Sequence, residues 1–102
     1  MAKLIYAASP RSADMLYATG FQAPDAFVFL EQRGKKTIVL NDLEIDRGRR
    51  EAEVDEVVSA SELGRALGTT SPAVVAAGFL LGRKIRRVEV PADFPLGFAR
   101  HL

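Results

Sequence analysis

The sequence predicts an α/β domain built on a mixed sheet of five to six strands with helices on both faces. Three observations carry this. Two stretches, 26–30 (AFVFL) and 37–40 (TIVL), are apolar on both alternating faces and flank Arg33-Gly34, the pattern of an antiparallel hairpin buried at the centre of a sheet. Strand-like stretches alternate with helix-start signals along the rest of the chain. The length, 102 residues, is that of one domain or part of one, enough for a modest core.

Taken in order, residues 3–8 (KLIYAA) form a short apolar run ended by Ser9-Pro10 and predict a buried strand. Ser12 caps a short helix through Tyr17, which Gly20 stops. In 26–30, Phe27 and Phe29 point to one face and Ala26, Val28 and Leu30 to the other. After the hairpin, Asn41-Asp42 starts a helix, with Asp42 as its cap, Glu44 and Asp46 in its first turn and Arg47, Arg49 and Arg50 later, a polarity that suits the helix dipole. Asp46 and Arg50 stand four apart in the favourable order. The inward face of this helix is Ile45, Gly48 and Ala52, and a glycine there implies close packing on the sheet.

Residues 54–58 (VDEVV) predict the next strand. Ser59 with Glu62 three residues on is a capping-box pattern for a helix ending at Leu67, with Gly68 past its end. Ser71-Pro72 opens a further helix that Gly82 closes. Its body, AVVAAGFLL, is apolar nearly all round and therefore belongs in the core or at an interface. Residues 85–90 alternate with one polar face and predict a strand near a sheet edge, stopped by Pro91. The last stretch places Phe94, Phe98 and His101 or Leu102 at helical spacing behind Asp93, and the chain ends inside that turn. This predicts that residues 1–102 are a single domain cut from a longer protein.

Fourteen basic against thirteen acidic side chains leave a net charge of +1, which gives no electrostatic case for nucleic acid or membrane. The longest apolar run, 73–81, is too short to span a bilayer. Cysteine is absent, which excludes thiol chemistry and suits a cytoplasmic protein. No catalytic constellation stands out. His101 is the single histidine and reads as a surface or core-edge residue. Asp42, Glu44 and Asp46 alternate at spacings of two, which splays them around a helix, so they read as capping residues rather than metal ligands. The loop ASPRSAD contains no glycine to cradle a phosphate. The clusters Arg47, Arg49, Arg50 and Arg83, Lys84, Arg86, Arg87 lack interleaved aromatics and read as solvated faces. The predicted catalytic and metal-ligand sets of this chain are therefore empty.

One local feature is unusual: Phe21 follows Gly20 in what should be a polar turn, so it either covers the edge of the core or faces a partner. Asp14, Tyr17, Thr19, Gly20 and Phe21, followed by the hairpin, the Asp42 turn and the late RRVEVPADFPLGFARHL, resemble the N-terminal domain of the creatinase, prolidase and aminopeptidase P group, the pita-bread Xaa-Pro metallopeptidases. The resemblance implies a ribonuclease H-like fold, and catalysis in a separate C-terminal domain that holds two divalent metal ions (such as Mn, Co or Zn) through two Asp, one His and two Glu. It implies a parent hydrolase that cleaves Xaa-Pro bonds in peptides or dipeptides. This chain would then assist a homodimer, pack on its own C-terminal domain and shape access of peptide substrate, with Tyr17 and Phe21 at the substrate cleft or the interdomain contact. Where many relatives read Asp-x-Arg-Tyr, this chain reads Asp42-Leu43-Glu44-Ile45. The alternative is a stand-alone α/β module that binds a small ligand or a protein partner through the 73–81 helix.

Overall fold

In the computed structural model, which describes residues 2–91, five strands form one sheet. They are β1 (Ala2–Ala7), β2 (Phe27–Gln32), β3 (Lys35–Leu40), β4 (Glu56–Ser59) and β5 (Val88–Glu89), in the order β4-β3-β2-β1-β5. β2 pairs antiparallel with β1 and β3, while β4 and β5 add in parallel at the two edges. The mixed α/β sheet of the sequence reading is thus observed with five strands, and the hairpin lies at its centre. Arg33 and Gly34 turn that hairpin with φ of 52° and 79°, the two left-handed residues a type I′ turn requires.

Four helices cover the sheet: α1 (Ala13–Thr19), α2 (Ile45–Glu51), α3 (Ala60–Leu67) and α4 (Pro72–Gly82). Alternation along the strands divides the core in two. Phe27, Phe29, Ile38 and Leu40 pack with Ile5, Met15 and Phe21 beneath α1 and α2. Val28, Leu30 and Val39 pack with Leu4, Ala76, Phe79 and Leu80 beneath α3 and α4. The burial of Ala73, Val75, Ala76, Phe79 and Leu80 accounts for the uniformly apolar α4.

The helix ends follow local chemistry. Ser12, Ser59 and Ser71 cap α1, α3 and α4 by accepting the backbone N–H of Met15, Glu62 and Val74. Gly48 faces the sheet as its spacing predicts; a Cβ there would overlap Leu40 Cδ1.

Three expectations need correction. Asp42 does not cap α2: residues 42–44 form a turn, α2 begins at Ile45 with Glu44 at its N-cap, and no side chain caps it. Among the described residues the ion pairs of α2 join Arg47 to Glu44 and Glu51, not Asp46 to Arg50. The last strand is also shorter than 85–90. Ile85 is buried but precedes it, and β5 keeps two residues against the end of β1. The helical turn expected around Phe94, Phe98 and His101 lies outside the described residues.

Candidate functional site

The Tyr17–Phe21 segment crosses the end of α1. Gly20 takes φ of 60° at the helix C-cap, where glycine escapes the Cβ penalty of other residues. Thr19 is fully buried and works in both directions: its hydroxyl donates to the Met15 carbonyl at 2.9 Å and accepts the Phe21 N–H at 3.1 Å. Ser9 Oγ donates to the Phe21 carbonyl and accepts the Ala23 N–H at 3.4 Å. The backbone on either side of Phe21 is therefore fixed by two buried hydroxyls. The ring enters the core at 0% exposure, edge-on to Phe27 with centroids 6.0 Å apart.

Arg47 closes this arrangement from outside. Its guanidinium lies 4.5 Å from the Phe21 ring centroid, donates to the Gln22 carbonyl at 2.6 Å and is held by Glu44, with Nε at 3.0 Å from Oε2. Arg47 thus departs from the solvated-face reading, whereas Arg49 and Arg50 are exposed as expected. Tyr17 and Phe21, read together from the sequence, part company: Phe21 is sealed and Tyr17 is 93% exposed.

A second feature lies at the end of the sheet where β1, β3 and β4 finish and β2 begins. A pocket of about 400 Å³ opens there, walled by Tyr6, Phe27, Val28, Val39 and Val75, with Asp42, Ser61 and Thr70 among its polar lining. Burial raises the Tyr6 hydroxyl pKa above its ordinary value. Asp42 accepts hydrogen bonds from Ser61 Oγ at 2.9 and 2.8 Å and from Ser59 Oγ at 3.0 Å. Those bonds, Ser61 first, hold its carboxyl below the usual carboxylate range, with a further contribution from Arg65. Sequence reading misses this site because Asp42 meets its partners across 17 and 19 residues.

Across the sheet edge, Arg83 donates to both Glu56 oxygens at 2.8 and 3.0 Å and lies over the Phe79 ring at 4.7 Å. This cation, like Arg47, is a structural clamp. Among the described residues no group of three or more His, Cys, Asp or Glu stands close enough to hold a metal. No described helix is long and apolar enough to cross a membrane.

No protein-family model matches the sequence, and no curated protein matches it. Solved structures do match the fold. An Xaa-Pro dipeptidase from Bacillus anthracis superposes with a TM-score of 0.74 at 12% identity, over 98% of this chain and 25% of that one. The prolidase of Pyrococcus horikoshii gives 0.67 at 17% identity, over 99% of this chain and 24% of that one. An Xaa-Pro aminopeptidase from Streptococcus pyogenes gives 0.67 at 15% identity, over 97% of this chain and 66% of that one. The chain therefore has the fold of part of these Xaa-Pro peptidase structures, as the sequence resemblance implies, and spans between about a quarter and two thirds of their length.

Proposed function

We propose that this chain is the non-catalytic N-terminal domain of an Xaa-Pro metallopeptidase, an aminopeptidase P or an Xaa-Pro dipeptidase. The observation that supports this best is the fold match: nearly all of this chain aligns with about a quarter of the dipeptidase and prolidase chains. Hydrolysis then belongs to a C-terminal domain that follows it. The two divalent metal ions the resemblance implies are assigned to that domain on this reading; among the described residues no group of three or more His, Cys, Asp or Glu could hold one. Those two ions would polarise the scissile carbonyl and activate water there, and none of that chemistry is derived from residues of this chain.

On this reading the chain acts by shape. It contributes to a cytoplasmic homodimer and walls the substrate cleft, so that short Xaa-Pro peptides enter. Tyr17, with its ring in solvent, makes the contact with the catalytic domain or the peptide. Phe21 holds the segment that presents Tyr17, and Arg47 covers the outer side of Phe21.

The gene tests this reading directly. Codons after residue 102 should encode a larger domain carrying Asp, Asp, His, Glu and Glu as ligands. In the full-length protein, Tyr17→Ala should raise KM for an Xaa-Pro peptide while leaving the thermal midpoint in place. An open reading frame without those five ligands would reduce the reading to fold likeness alone.

A further inference from the structure

The strand-end pocket is separate from the Tyr17–Phe21 segment and has its own chemistry. It lies where open α/β sheets hold ligands, outside the carboxyl ends of strands, and its volume of about 400 Å³ is that of a small-molecule site. Its walls are apolar and aromatic. Among the described residues its lining carries one carboxylate, Asp42, and no Lys or Arg.

That carboxylate is held but not neutralised. Ser61 bridges both of its oxygens and Ser59 binds one. Among the described residues no cation comes within 4 Å of it, and Arg65 acts on it from farther away. Asp42 is not needed to cap α3, because the Glu62 N–H goes to Ser59 Oγ at 3.1 Å. A fixed anion beside an apolar cavity selects a cation on an apolar body and repels an anion.

We propose that this pocket binds a primary amine with a hydrophobic body, the ammonium group on Asp42 and the body against Tyr6, Val39 and Val75. The same chemistry is offered by a free arylalkylamine and by the α-amino group of a peptide beginning with an apolar residue. The proposal concerns this chain alone and does not depend on the peptidase reading; an inactive full-length protein would leave it standing.

The test is an amide-resolved NMR titration of the 102-residue chain with 2-phenylethylamine, with phenylalanyl-alanine amide and with its N-acetyl derivative. Both amines should shift Asp42, Ser61 and Thr70 saturably, with dissociation constants of order millimolar. The acetylated peptide should bind more weakly by up to about five-fold, the effect of one exposed ion pair. Binding by phenylethylamine alone assigns the site to free amines, and binding by both extends it to peptide N-termini. Asp42→Asn should abolish the preference for the amine over its acetylated form, and Val75→Trp should block both probes. Circular dichroism verifies that each variant is folded, and Asp42→Ser, which also removes the charge, serves in place of Asp42→Asn if that variant is not. Equal affinity for the amine and its acetylated form, shifts centred elsewhere, or no saturation would overturn the proposal.

Discussion

Phe21 carries more of the fold than any other residue of its segment. It is fully buried and packs edge-on to Phe27, its backbone is tied by Thr19 and Ser9, and Arg47 covers its ring. Phe21→Ala removes the ring and its contacts with Phe27 and Arg47 while leaving those backbone hydrogen bonds available, and should cost about 3–5 kcal/mol in urea denaturation. Tyr17→Ala, four residues away but exposed, should change stability by less than about 0.5 kcal/mol. Equal losses at the two positions would contradict the division of roles drawn here. Glu56 offers a pH test. Burial pushes its carboxyl pKa up, but hydrogen bonds from Arg83 and Thr37 and the charges of Arg83 and Lys35 outweigh that and leave it lowered. The unfolded chain titrates near pH ~4.3 and so binds more protons just below that value. The contribution of Glu56 is therefore complete above this range and is lost as pH falls through the lower folded pKa. Between neutral pH and about pH 3, Glu56→Gln should lose less stability than the parent chain. An unchanged pH dependence would show that Arg83 and Glu56 are not coupled in solution.

Among the elements, the central hairpin and the serine-capped helices were legible in the sequence because their determinants are local. Ser12, Ser59 and Ser71 each bind a backbone N–H three residues on, and the alternation of Phe27, Val28, Phe29 and Leu30 assigns each residue to its core. What stayed hidden depends on partners distant in sequence. Asp42 stands where a helix cap is expected, yet it is drawn to Ser59 at the end of β4 and Ser61 in the first turn of α3. Arg47 has the spacing of a solvent-facing helix residue, and only the fold brings Gln22 and Phe21 beneath it. The last strand shortens because only its Val88 and Glu89 reach β1. The hairpin turn still holds a locally unfavourable residue, since Arg33 adopts φ of 52° where Asn is preferred. Arg33→Asn should therefore stabilise the domain by about 0.5 kcal/mol, read as a higher urea midpoint with an unchanged m-value; a lower midpoint would mean that Arg33 makes a contribution beyond the turn.

For the whole molecule, the two-sided sheet explains how a chain of this size sustains two cores, one under α1 and α2 and one under α3 and α4. The fold matches Xaa-Pro peptidase structures over nearly its full length while spanning about a quarter of the prolidase chain. Our proposal is that this chain shapes access to an active site carried elsewhere in the same protein. It is tested most directly by measuring hydrolysis of an Xaa-Pro peptide by the full-length product of the gene, with Mn, Co or Zn and with a chelator. The account predicts metal-dependent release of the residue before proline by the full-length protein and none by residues 1–102 alone. Hydrolysis by the 102-residue chain itself, or a full-length protein inert with every metal, would contradict it.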